Sequence, residues 1–238
     1  MSIPPRHRHS DYMRFAKLDT TARFGLASSG VADCALADLA LTMDDLALHG
    51  SNSYGYMPLL DAIASRFGVA TDHVVTAAGA SFANHLALAA VIEPGDEVLI
   101  ESPTYELLEA ALAYFQADVR RFGREPGALW AIDAEAVAAA ITPRTRLVML
   151  TNLHNPTGAL TDMATIEAIA RAADAVGAWV LIDEVYLELM FRDGNARTAF
   201  RPEGNIIVTS SLTKAYGLSG LRCGWILAPE AMAGRMRG

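Results

Sequence analysis

Apolar positions fall into two kinds of segment. Short unbroken runs (Val98-Leu99-Ile100, Leu147-Val148-Met149-Leu150, Trp179-Val180-Leu181-Ile182, Ile206-Ile207-Val208) read as strands buried on both faces. Between them lie longer stretches with helical periodicity. The pattern predicts strands at 73–77, 97–101, 146–151, 179–183, 206–209 and 224–228, and helices at 33–48, 59–67, 81–92, 105–116, 133–140 and 161–176. Gly68 and Gly177 suit C-caps and Thr161 an N-cap. Ser28-Ser29-Gly30, 51–58 and Glu93-Pro94-Gly95-Asp96 read as loops or turns. Strands separated by helices imply an α/β fold with a mainly parallel, doubly wound sheet flanked by helices. Residues 1–50 are irregular and read as an N-terminal arm; 51–238 form the sheet domain. No internal repeat, low-complexity tract or long linker interrupts the chain.

The 238 residues are 52% hydrophobic and 19% charged, enough for a sizeable core and inconsistent with disorder. The net charge of −8 argues against a nucleic-acid or membrane-surface binder, which would need basic patches. The apolar runs are too short to span a membrane. Met1 to Ser10 has no apolar core, so no secretory signal is expected there. Cys34 and Cys223 form neither a disulfide framework nor a metal-ligand spacing, and a cytoplasmic setting is expected. His49, His85 and His154 also lack ligand spacing and read as structural or surface residues.

Of 19 basic residues only Lys17 and Lys214 are lysines. Lysine can lose its proton and act as nucleophile or base, whereas arginine cannot. Ligands in open α/β sheets bind beyond the carboxyl ends of the strands. There the sequence places, in order, Gly79-Ala80-Ser81, Ser102-Pro103-Thr104-Tyr105, Asn155-Pro156-Thr157-Gly158, Asp183-Glu184-Val185-Tyr186 and Ser211-Leu212-Thr213-Lys214, with Arg222 just before the last strand. Taken singly, each has an ordinary explanation: a helix N-cap, a tight turn, a half-buried aromatic or an ion pair. Ser211-x-x-Lys214 also matches a serine β-lactamase pattern, but the Ser-Asp-Asn and Lys-Thr-Gly that should accompany it do not occur.

The ordered set, with Gly220-Leu221-Arg222-Cys223-Gly224, resembles the pyridoxal-phosphate enzymes of the aspartate aminotransferase fold type, classes I and II, from about residue 25 to the end. The resemblance implies a catalytic group of Lys214, Asp183 and Tyr186. Lys214 would form the Schiff base with the cofactor and then shuttle the substrate Cα proton. Asp183 would keep the pyridine nitrogen protonated, while Asn155 and Tyr186 would hydrogen-bond the phenolic oxygen. Tyr105 would stack on the ring. Gly79, Ala80, Ser81, Ser211 and Arg222 would hold the phosphate. Tyr54, with Tyr56 as competitor, would reach the phosphate of a neighbouring subunit in a homodimer, and the Gly30 loop would cover the substrate carboxylate.

Amino acids and 2-oxo acids are the implied partners, and transamination the implied reaction. A lyase or cyclase on the same fold uses the same cofactor residues and stays open. So does a non-catalytic fragment that at most binds the cofactor. Family chains continue past the strand at 224–228 into a C-terminal small domain that carries a substrate-binding arginine. This sequence ends at Arg235-Met236-Arg237-Gly238, so an incomplete large domain is expected. The roughly 25 residues before the resemblance are too few for a helix-turn-helix regulator.

Overall fold

The computed structural model describes residues 10–19, 23–24, 27–46, 49–50, 53–190 and 197–238; Met1 to His9, Ala47 to Leu48 and Ser51 to Asn52 of the segments read above lie outside the described residues. Among the described residues seven strands build one sheet: β1 (Val74–Ala77), β2 (Glu97–Ser102), β3 (Asp118–Gly123), β4 (Thr145–Thr151), β5 (Trp179–Asp183), β6 (Ile206–Ser211) and β7 (Gly224–Leu227). Their order is β1-β7-β6-β5-β4-β2-β3. Strands β3, β2, β4, β5 and β6 run parallel; β7 is antiparallel to both its neighbours.

Alternate strand residues feed two cores, as expected of a sheet covered on both faces. Val148, Leu150, Val180, Ile182 and Val208 point to one side. There they meet Leu60 and Ile63 of α2 (Met57–Phe67), Val137 of α5 (Ala134–Ala140), and Ile166 and Ile169 of α6 (Met163–Asp174). Leu147, Met149, Leu181 and Ile207 point to the other. There the cover is Ala87 and Leu88 of α3 (Ala80–Val91), Leu108 and Leu112 of α4 (Glu106–Tyr114), and Met232 of α8 (Glu230–Arg237). Two short helices complete the set: α1 (Asp11–Arg14), followed by a π turn over Phe15–Asp19, and α7 (Leu212–Ala215).

Most expected elements are present within a few residues of their predicted bounds. The helix expected at 33–48 is not formed; its described part holds only 3₁₀ turns at Leu36–Asp38 and Met43–Asp45. Two local carboxylates explain this. Asp38 accepts the Ala35 N–H at 2.9 Å and Asp45 the Thr42 N–H at 2.7 Å, each closing a tight turn. Leu36, Leu41 and Leu46 stay exposed, so no packed face offsets the cost of nucleating a helix. The N-cap of α6 is Asp162 rather than Thr161, because the Thr161 hydroxyl is taken by Arg124 at 2.6 Å.

Candidate active site

The carboxyl ends of β2, β4, β5 and β6 open onto one cavity of about 480 Å³, a usual size for a small-molecule site. Because β7 runs antiparallel, its amino end lies at the same edge. That brings Arg222, two residues before β7, to a cavity that otherwise collects carboxyl-end loops.

Asp183 ends β5 and is buried. Its Oδ1 accepts the Val185 N–H at 3.0 Å and its Oδ2 the Asn84 side-chain amide at 2.7 Å. Burial pushes the carboxyl above the usual carboxylate range, against the pull of those donors and of the Lys214 charge. Lys214 stands in α7, directly after β6. Its Nζ donates to Ser29 Oγ at 2.8 Å and lies 5.8 Å from the Tyr186 ring centroid. The Tyr186 hydroxyl donates to the same Ser29 oxygen at 2.8 Å, and burial raises the pKa of the phenol.

Opposite lies a cradle for an anion. Gly79, the N-cap of α3, has φ +88° and offers no side-chain cap, so the first N–H groups of a 12-residue helix are left to a ligand. A Cβ at Gly79 would collide with the Arg222 guanidinium, and one at Gly224 would sit 2.5 Å from the Gly79 carbonyl carbon. Glycine is required at both positions for the guanidinium, the strand and the helix start to approach. Arg222 Nη2 donates to the Ala78 carbonyl at 3.2 Å. Ala80, Ser81 and Ser211 line the same end of the cavity.

The loop after β4 carries Asn155 to the cavity, and a buried network fixes it. Thr151 Oγ1 accepts the Asn155 N–H at 2.8 Å. Glu101 Oε1 accepts the Thr151 N–H and hydroxyl, both at 2.7 Å. Glu101 Oε2 pairs with Arg124 Nε at 3.1 Å, both side chains fully buried. Burial raises the Glu101 carboxyl to about 7 against the Arg124 charge. His154, also buried, ties Thr157 Oγ1 (2.6 Å) to the Pro103 carbonyl (2.9 Å). Burial lowers its pKa to about 4, so it braces the loop as a neutral ring.

Tyr105 lines the cavity, its hydroxyl 3.4 Å from Met13 Sδ and its ring edge-on to Tyr12 at 5.8 Å. The N-terminal segment is latched above it: Glu106 accepts the Ser10 hydroxyl at 2.6 Å and the Tyr12 N–H at 2.8 Å. Gly30 packs on the Lys214 backbone, where an added Cβ would stand 3.4 Å from the Lys214 carbonyl oxygen. Its neighbour Val31 donates to that oxygen at 3.0 Å. Tyr54 is 70% exposed and lies outside this cavity, as does Tyr56. Of the other residues expected to hold cofactor or substrate, Ala80, Ser81, Tyr105, Asn155, Asp183, Tyr186, Ser211, Lys214 and Arg222 line the cavity, whereas Gly79 and Gly30 do not.

Sequence reasoning missed Ser29, Asn84, Thr151 and the Glu101–Arg124 pair. The available signals were a polar Asn84 within the apolar run of α3 and a carboxylate ending the apolar run of β2. Among the described residues, no group of three or more His, Cys, Asp or Glu is placed to hold a metal, and no helix is long and apolar enough to cross a membrane.

A buried carboxylate, a lysine amine, a phenol and an aromatic wall, opposite an uncapped helix start under a guanidinium, make a donor set that fits a phosphorylated pyridine aldehyde. The family model for aminotransferase class I and II matches residues 28–238, and the chain belongs to that family, whose members depend on pyridoxal phosphate. It is 36% identical over 175 residues to an arginine–pyruvate transaminase of Pseudomonas aeruginosa, covering 72% of this chain and 44% of that protein. It is 35% identical over 201 residues to a probable N-succinyldiaminopimelate aminotransferase of Mycobacterium tuberculosis, covering 78% and 51%. Among solved structures, a PLP-dependent aminotransferase from Streptococcus suis superposes with a TM-score of 0.73 at 30% identity, covering 82% of this chain and 52% of that one. The chain spans about half the length of the relatives it matches.

Proposed function

We propose that this chain carries the pyridoxal-phosphate site of an aminotransferase that moves the amino group of an amino acid to a 2-oxo acid. The reading rests on one observation above all: Lys214 and Asp183 line a single cavity whose far end is the uncapped start of α3 beneath Arg222. When bound, the cofactor supplies a sink for the electron pair left on the substrate Cα.

The chain's own groups do the rest. Lys214 Nζ would hold the cofactor through its aldehyde carbon and, when free as an amine, would be the base that takes and returns the substrate Cα proton. Asp183 would hold a proton on the ring nitrogen, its own charge favoured by Asn84 and the Val185 N–H. Asn155 and Tyr186, the latter turning its hydroxyl from Ser29, would donate to the phenolic oxygen, and Tyr105 would lie against the ring. Gly79, Ala80, Ser81, Ser211 and Arg222 bind the phosphate through N–H, hydroxyl and guanidinium donors. Ser29, which accepts from both Lys214 and Tyr186, holds the amine toward the cavity. The Gly30 loop covers the substrate carboxylate. Exposed Tyr54 suits a group that reaches the site of a second copy, and a cytoplasmic homodimer belongs to the same reading.

Borohydride treatment of the chain mixed with pyridoxal phosphate, followed by peptide mapping, tests the attachment. A reduced adduct at Lys214, absent in Lys214→Ala, is the expected result. Incubation with single amino acids should then yield the 2-oxo acid and pyridoxamine phosphate. Release of 2-oxo acid plus ammonia would instead define a lyase, and no adduct at all would overturn the reading.

A further inference from the structure

We propose that Asn84 is a positioning residue for Asp183, and that the Thr209 hydroxyl fixes which end of the Asn84 amide faces that carboxylate. The inference rests on the reading above, in which Asp183 meets the cofactor ring nitrogen.

Asn84 stands in the second turn of α3, 3% exposed, between buried Ala83, Ala87 and Leu88. A polar side chain in such a setting is costly unless both ends are bonded. Both are. Nδ2 donates to Asp183 Oδ2 at 2.7 Å, and Oδ1 accepts from Thr209 Oγ1 at 2.6 Å. Thr209 is fully buried on β6 and is the direct cross-strand partner of Asp183 on β5.

The chemistry of the three groups sets the direction. An ionised carboxylate only accepts, so the amide must present its NH₂ to Asp183 and its oxygen away from it. That oxygen needs a donor, and the Thr209 hydroxyl supplies one. A flipped amide would set its oxygen against Asp183 and is compatible only with a protonated carboxyl. Asn84 and Thr209 therefore bias Asp183 toward the charged form that burial opposes. With Oδ1 held by Val185 and Oδ2 by Asn84, the carboxylate is fixed with lone pairs left for the cavity. Among ionisable groups, Lys214 favours the charge on Asp183, and that charge in turn raises the pKa of Glu101, Glu184, Tyr105 and Tyr186.

Two readouts on the full chain test this. The first needs no cofactor: the Asp183 carboxyl is titrated by ¹³C NMR, its signal assigned by its loss in Asp183→Asn. Asn84→Leu should move the midpoint to higher pH by one unit or more. Thr209→Val, which keeps shape and loses only the hydroxyl, should move it the same way by less, and Thr209→Ser should restore it. The second readout is the affinity for pyridoxal phosphate between pH 6 and pH 9. Asn84→Leu should weaken it about tenfold and shift its pH profile, with Thr209→Val intermediate. An unshifted Asp183 midpoint in Thr209→Val together with an unshifted pH profile in both variants would overturn the inference, even if Asn84→Leu binds less cofactor at every pH and unfolds earlier. Wild type that fails to bind pyridoxal phosphate, or Asp183→Asn that binds it equally well, would overturn the underlying reading instead; the NMR midpoints would still decide whether Asn84 and Thr209 set the charge of Asp183.

Discussion

Lys214 is where the chemistry and the sequence bias agree: in an Arg-rich chain both lysines line the cavity, and Lys214 is the one that directly follows a buried strand. Asp183, Asn155, Tyr186, Tyr105 and Arg222 were readable because each follows, or immediately precedes, an apolar run at the sheet edge. Ser29 and Asn84 were not, because their roles depend on contacts 185 and 99 residues away in sequence. Arg222→Met should weaken cofactor phosphate binding by roughly 10- to 100-fold, the ~1.5–3 kcal/mol of a lost charge-assisted contact; equilibrium dialysis measures it. Glu184 carries a pH prediction. It is buried, accepts the Ala199 N–H at 2.8 Å, and has its pKa raised from 4.5 to about 8, chiefly by burial. The folded state therefore holds a proton that the unfolded state has lost between those values, so this contribution to stability is full below about pH 4.5 and declines up to about pH 8. Tm should fall across that window in wild type and fall less in Glu184→Gln, which keeps the acceptor without the titration.

Strands and helices were readable where burial on both faces leaves an uninterrupted apolar signature, as in β4, β5 and β6. The edge strand β3 escaped notice because Arg120 and Arg121 interrupt it, and charge on an edge strand is how an open sheet avoids further pairing. The expected helix at 33–48 failed for the opposite reason: its leucines have a pattern but no partner surface. Leu150 has complete burial in β4, and Leu150→Ala should cost about 2–5 kcal/mol in urea unfolding. Gly79→Ala tests the join of α3 to Arg222. The added methyl meets a positive φ and the guanidinium together, so cofactor affinity should drop at least tenfold and Tm should fall as well.

Across the sheet, the carboxyl ends of the parallel strands and the amino end of β7, antiparallel to both its neighbours, come to a common edge. Tyr54, Tyr56 and Phe82 are exposed aromatic residues. If Tyr54 acts across two copies, mixing Tyr54→Ala with Lys214→Ala chains should recover cofactor binding that neither variant shows alone, because one site per mixed pair regains both groups. The decisive measurement is a crystal structure of the chain grown with pyridoxal phosphate. Continuous density from Lys214 Nζ into a pyridine ring, with the ring nitrogen at hydrogen-bond distance from Asp183 and the phosphate at Gly79 to Ser81, is the expected result. An unmodified Lys214, or a ring bound with its nitrogen turned away from Asp183, would contradict it.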